Sequence, residues 1–142
     1  MISDTTIIVP NTSRSKDPRG QILSIVDDKI SNVSIITCVP GSIRSNHYHL
    51  KDFHYMYVLE GEIDYFFKKK NSEKIEYLKV IKEQNIFTPP NEIHETYFPV
   101  TTRLIVSSLH PRDQETYEKD TVRVDFVNEQ NITELLKEHS NK

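Results

Sequence analysis

A single cysteine in 142 residues excludes an internal disulfide. That residue, Cys38, lies in the apolar run from Val33 to Val39, so a buried core thiol is expected there and not a nucleophile. No apolar run approaches the length of a membrane span, and Met1 to Pro10 lacks the basic start and long apolar stretch of a secretory signal. The cytoplasm is therefore the expected location, with no membrane as partner. Charge of one sign is also lacking: 18 Lys and Arg face 21 Asp and Glu, and a net charge of −3 gives no reason to expect nucleic acid or an anionic membrane. Internal repeats and linkers are absent. With 36% hydrophobic and 27% charged residues, the chain reads as one compact domain over residues 1–142.

What is present is a succession of short apolar-alternating runs. Strands are expected at 6–9, 21–26, 33–39, 46–49, 54–59, 62–68, 74–81, 85–88, 94–98 and 103–108. Turn signals separate them at Asp17-Pro18-Arg19-Gly20, Pro40-Gly41, Gly61, Asn71-Ser72, Pro89-Pro90-Asn91 and Pro99. Regular strands without helices between them predict an all-β antiparallel sandwich or barrel, and a jelly roll would bring residues 47 to 54 beside residue 94. Only the tail looks helical, over about 131–140. There Asn131 and Glu134 have the form of a capping box, and Ile132, Leu135 and Leu136 form an apolar face.

The chemistry is concentrated in four of the six histidines: His47, His49, His54 and His94. His47 and His49 stand two apart, so a strand puts both imidazoles on one face, where they can grip one ion. His54 follows across a short gap, and His94 arrives from a distant segment, as a folded metal site requires. Four neutral imidazoles would leave a divalent ion both its positive charges, favouring an anionic ligand. Imidazole suits zinc, iron, nickel and copper alike, with manganese a further candidate, so ligand type does not name the metal. His54 is either a fourth ligand or a base beside the ion. Ligation needs neutral imidazole, so metal should be lost below about pH 5 to 6.

The stretch from Gly41 to Gly61, G-S-I-R-S-N-H-Y-H-L-K-D-F-H-Y-M-Y-V-L-E-G, resembles the first signature of the cupin superfamily. Pro89-Pro90-Asn91-Glu92-Ile93-His94 resembles the second. The resemblance implies a cupin-type antiparallel jelly-roll barrel with one divalent metal per chain. Two positions depart from the pattern. His54 stands where the family usually has a carboxylate, and Asn91 stands where it has glycine, a change the turn can survive because Asn tolerates a positive φ.

Strand phase sorts the remaining pocket candidates. From His54 the inward face carries Met56 and Val58, while Tyr55, Tyr57 and Leu59 point away, towards packing or a subunit contact. Beyond His94, Thr96 and Phe98 turn inward and Glu95 and Tyr97 outward. Tyr65 is the candidate pocket hydroxyl, with a core tyrosine bonded to a backbone carbonyl as the plain alternative. Alternation aims Arg44 away from the metal, yet near a turn alternation often fails, and its guanidinium would then hold a phosphate or carboxylate. Lys51 is a second candidate for contact with substrate. The run Lys68-Lys69-Lys70 is read as a solvated hairpin tip.

A narrower resemblance rests on Pro40 to His49, preceded by Asp17-Pro18-Arg19-Gly20 and followed by Asp113 to Tyr117. These resemble the cupin domain fused to capsular-polysaccharide NAD-dependent reductases and the stand-alone cupins of sugar biosynthesis. The likeness spans most of residues 17 to 126, and it implies a zinc-dependent epimerase or isomerase of sugars or nucleotide sugars, working as a homodimer. Such a site polarises a carbonyl and acidifies the neighbouring C–H, so that a base makes an enediolate; Tyr65, His54 or hydroxide on the metal would be that base. An iron-dependent oxygenase and a non-catalytic metal- or sugar-binding cupin remain as alternatives.

Overall fold

Short β-branched and aromatic runs between turns give two antiparallel sheets in the computed structural model, which describes residues 1–11 and 13–139. The elements in chain order are β1 (Ile7–Val9), β2 (Ser13–Asp17), β3 (Gly20–Leu23), β4 (Asn32–Cys38), β5 (Ser42–His49), β6 (His54–Glu60), β7 (Glu62–Lys69), β8 (Glu76–Ile81), β9 (Asn85–Thr88), β10 (Glu92–Phe98), β11 (Thr102–Ser108), α1 (Gln114–Asp120), β12 (Thr121–Arg123) and α2 (Ile132–His139). One sheet has the order β1-β9-β6-β11-β4, the other β12-β5-β10-β7-β8, and β2 and β3 form a separate hairpin.

The inner faces of the two sheets share one core. Cys38, Met56, Val58, Ile86, Leu104 and Val106 come from the first sheet and meet Ile63, Tyr65, Phe67, Val80 and Phe98 from the second. The expected phases of β6 and β10 hold: Met56, Val58 and Phe98 face this core, and Tyr55 packs outside it with Phe53 and Phe87. Cys38 is buried, as its apolar run requires. Among the described residues the ladders remain two separate sheets, with none joining them into a closed barrel.

The C-terminal segment covers the outer face of the second sheet. Phe126, Val127, Ile132 and Leu135 pack on Phe66 and Ile93. The start of α2 differs from the expected capping box. Asn128 caps the turn, its Oδ1 accepting from the N–H groups of Gln130 and Asn131, while Asn131 Nδ2 donates to the carbonyl of Phe126. The expected end of this helix at residue 140 lies outside the described residues.

Three elements were not expected from sequence: β2, α1 and β12. Helix α1 is two turns of polar residues, so it has no apolar period to betray it. Its signal is local, since Asp113 caps it by accepting from the N–H of Thr116 at 2.9 Å. Strand β5 begins at Ser42, four residues before the expected start, because a bulge interrupts its alternation. His94 pairs with His47 but Glu95 pairs with Ser45, leaving Asn46 as the extra residue. Ser45 and Asn46 take positive φ angles of 75° and 58° there. No helix among the described residues is long and apolar enough to cross a membrane.

Candidate metal centre and its cavity

Strand pairing assembles the histidine cluster. His47 and His94 face each other across β5 and β10, His49 ends β5, and His54 opens β6. The ring centroids of His47 lie 4.6 Å from His49 and 4.8 Å from His94, and His54 is 5.3 Å from His94 and 5.7 Å from His49. All four side chains are buried. The ligating nitrogens of His47, His49 and His94 fall within 4.8 Å of one another, the separation a single ion can bridge after small side-chain shifts. His54 presents its ring edgewise to His49 and His94 from the other sheet.

The second motif supplies the turn that delivers His94. Asn91 takes φ 64°, so the asparagine in place of glycine adopts the left-handed conformation the turn needs. Its N–H donates to the carbonyl of His49 at 2.7 Å, which ties the two motifs together at the cluster.

Protonation favours ligation. Burial first, then the neighbouring His94, pushes His47 down to about 2 and His49 down to about 3. Burial holds His54 well below the usual imidazole range and lowers His94 to about 4, partly opposed by its bond to Glu92. His94 Nδ1 lies 3.1 Å from the carbonyl of Glu92, which can only accept, so Nδ1 carries the proton and Nε2 the lone pair. That Nε2 and the Nδ1 of His54 are buried with no hydrogen-bond partner. Buried neutral imidazoles with orphaned nitrogens fit a divalent cation.

A cavity of about 120 Å³ adjoins the cluster. Ile36, Met56, Phe98, Leu104 and Val106 supply apolar wall, and Arg44, Arg112 and Tyr117 supply polar lining. The bulge explains Arg44: with Asn46 inserted, Arg44 pairs with inward-facing Thr96 and so turns to the cavity that strict alternation would deny it. Arg112 lies over the Tyr117 ring at 5.2 Å, its buried Nε without a partner, and Tyr117 stands edge-on to His47 and His49. Neither Arg112 nor Tyr117 was singled out as a site residue from sequence; the cap at Asp113 between them was the available signal.

Tyr65 and Lys51 are placed differently from Arg44. The Tyr65 ring stacks on His94 at 6.1 Å, but its hydroxyl bonds Thr88 Oγ1 at 2.6 Å, is wholly buried and does not line the cavity. Burial raises its pKa above the usual phenol range. Lys51 is exposed and outside the cavity lining, and its backbone N–H bonds Asp120. Of the lysine run, Lys69 pairs with buried Glu92 at 2.7 Å, and Lys68 and Lys70 lie over Phe126 and Tyr48.

The family model described as polysaccharide biosynthesis C-terminal domain matches residues 15–121. No curated protein sequence matches the chain. Among solved structures, QdtA, a sugar 3,4-ketoisomerase from Thermoanaerobacterium thermosaccharolyticum in complex with TDP, is similar with a TM-score of 0.67 and 18% identity, over 97% of this chain and 98% of that one. WlaRA, a TDP-fucose-3,4-ketoisomerase from Campylobacter jejuni, gives 0.66 and 16%, over 82% and 87%. The capsular polysaccharide assembling protein CapF from Staphylococcus aureus gives 0.63 and 20%, over 83% of this chain and 33% of that one. These structures share the cupin-like fold read from the two histidine motifs. The chain belongs to the polysaccharide biosynthesis C-terminal domain family.

Proposed function

We propose that this protein is a metal-dependent isomerase or epimerase of a sugar or nucleotide sugar in polysaccharide biosynthesis. The observation that carries the reading is a cluster of four buried neutral imidazoles, three of which, His47, His49 and His54, line one cavity together with two guanidinium groups. His47, His49 and His94 would hold a divalent ion, zinc first among the candidates. Such an ion supplies Lewis acidity, which weakens the C–H bond beside a sugar carbonyl.

The chain's own residues do the rest. Arg44 and Arg112 recognise an anionic group such as a diphosphate, for which planar guanidinium is suited. The apolar wall excludes water from the reacting carbons. His54, buried with Nδ1 free, is placed to take and return the proton, and Tyr65 steadies the His94 ring from behind. The described similarity to sugar 3,4-ketoisomerases and to CapF supports the substrate class. The protein works as one domain in the cytoplasm. It pairs as a homodimer, for which the exposed Val33, Ile35 and Val39 on and beside β4 supply an apolar face; an Ile35→Asp variant is expected to run as a monomer by light scattering while the wild type runs as a dimer.

Elemental analysis of untagged protein purified without added metal tests the reading, with a His47→Ala/His49→Ala control. Near one zinc per chain is expected, falling to none in the control, together with solvent deuterium entering a nucleotide-linked keto sugar. Iron with oxygen uptake would replace the isomerase by an oxygenase, and absence of any metal after reconstitution would remove the metal from the mechanism. Arg44→Ala is expected to raise KM for the nucleotide sugar about tenfold with kcat nearly kept, as loss of one charged hydrogen bond predicts.

A further inference from the structure

Helix α1 ends against the histidine cluster, and its last residue meets the turn that joins His49 to His54. The carbonyl of Asp120 accepts from the N–H of Leu50 at 2.9 Å, its Oδ1 from Lys51 at 2.9 Å and its Oδ2 from Asp52 at 2.9 Å. One buried residue thus gathers three successive N–H groups of the β5–β6 turn. The ligating atoms of Asp52, Asp120 and His49 also lie within 4.8 Å of one another. The carboxylates nevertheless already accept backbone N–H groups, Asp52 Oδ1 taking that of His110 at 3.0 Å, so they brace the turn.

The next residue addresses His49 itself. Thr121 pairs with His49 across β12 and β5, and its hydroxyl donates to the carbonyl of Tyr117 at 2.6 Å. A hydroxyl has one hydrogen, so towards His49 Nδ1, 3.3 Å away, Thr121 Oγ1 can only accept. Asp120 Oδ2, 3.9 Å from the same nitrogen, adds negative charge that favours a proton there. His49 Nδ1 is therefore the N–H nitrogen and Nε2 the lone-pair nitrogen, the tautomer that Glu92 imposes on His94.

We propose that Asp120 and Thr121 are positioning residues of the histidine centre. Thr121 sets the His49 tautomer and ring orientation, and Asp120 holds the turn that fixes His49 relative to His54. Their effect on metal rests on the metal-binding reading above, whereas the tautomer is a property of the metal-free chain. Groups behind a ligating histidine change affinity about 10- to 100-fold when lost.

The test is a two-bond ¹H–¹⁵N spectrum of metal-free, ¹⁵N-histidine-labelled protein, with zinc affinity by chelator competition on the same samples. In the wild type, His49 is expected as the Nδ1–H form. Thr121→Val is expected to mix its tautomers and weaken zinc about tenfold or more, Asp120→Asn to weaken zinc similarly, and Thr121→Ser to restore wild-type behaviour. Wild-type His49 found as Nε2–H overturns the proposal even if Thr121→Val does not fold. So does a folded Thr121→Val protein with unchanged tautomer and affinity. A wild type that binds no zinc but shows the Nδ1–H form, lost in Thr121→Val, sinks the metal reading and leaves the positioning of His49 standing.

Discussion

Metal-free protein is expected to unfold on mild acidification, losing most of its stability between pH 6.5 and pH 5. His47, His49 and His94 have folded-state values of about 2, 3 and 4, and His54 also lies well below the ordinary 6.5. Below pH 6.5 the unfolded chain takes up protons that the fold refuses, so stability falls as pH falls, until the folded-state values are reached. At pH 5 each of His47, His49 and His94 held neutral costs about 2 kcal/mol, or about 6 kcal/mol for the three, and His54 adds to this in the same sense. Glu95 acts in the opposite sense. Burial, then Asp64, pushes its carboxyl up to about 9, so it is neutral in the fold, and acidification from 6.5 to 5 returns about 2 kcal/mol. The net loss of about 4 kcal/mol, to which His54 adds, reaches the lower end of ordinary domain stabilities, roughly 5–15 kcal/mol.

Bound metal changes the outcome, because a ligand held only by the fold stabilises it. The metal-loaded protein is expected to stay folded about one pH unit lower, and to release metal and unfold in one transition. The sequence alone suggested metal loss by protonation below about pH 5 to 6. Burial holds the folded-state value of His94 at about 4, above those of His47 and His49, so unfolding is expected before protons displace metal directly from the fold. Circular dichroism and metal release followed together across pH check this. Release at pH 5 to 6 from a protein that stays folded would contradict it, and Glu95→Gln should steepen the acid transition.

Gly61→Ala is expected to cost about 2–5 kcal/mol, the largest effect of any single methyl group considered. Gly61 is the only residue between β6 and β7, and it takes φ 87°. A Cβ there would lie 2.7 Å from the Cα of Thr102 and closer still to Thr102 Oγ1 and the carbonyl oxygen of Thr101. Thr102 cannot retreat, since it is fully buried and its one hydroxyl hydrogen is held between the carbonyls of Val100 and Glu62, at 2.9 and 3.1 Å. Gly41 is the internal control: it takes φ 83° but has open space where a Cβ would go, so Gly41→Ala should cost only the backbone strain of about 1–2 kcal/mol. Thermal unfolding of both variants decides. Equal losses would mean that the approach of Thr102 relaxes freely.

The legible parts of this molecule are those whose signal is periodic or local. Alternation gave the inward set Met56, Val58 and Phe98, and the two motifs brought His47, His49, His54 and His94 to one place. Arg44 was harder. Its orientation depends on one extra residue in β5, and Ser45 and Asn46 advertise that only by tolerating positive φ. Helix α1 and strand β12 were illegible for another reason. Most of their residues are polar and half are exposed, and their importance comes from meeting His49 across some seventy residues of chain. The Tyr65 hydroxyl shows the limit of face assignments: the ring points inward as expected, while the choice of Thr88 as partner is made by β9.

The bulge in β5 also bears on how this scaffold can change. Removing Ser45 would close the bulge and change little: Asn46, whose side-chain amide clasps both backbone groups of Val127, would stand alone opposite Glu95, and Arg44 would stay opposite Thr96. Straightening the bulge with every residue kept would instead turn everything upstream over: Ile43 would leave the C-terminal cover for the cavity, and Arg44 would take its place outside. Residues that resist positive φ at positions 45 and 46 would therefore exchange a cation for a branched alkyl group beside the histidines. In this fold the charge preference of the cavity can diverge through two backbone angles, with no substitution at any residue of the histidine cluster.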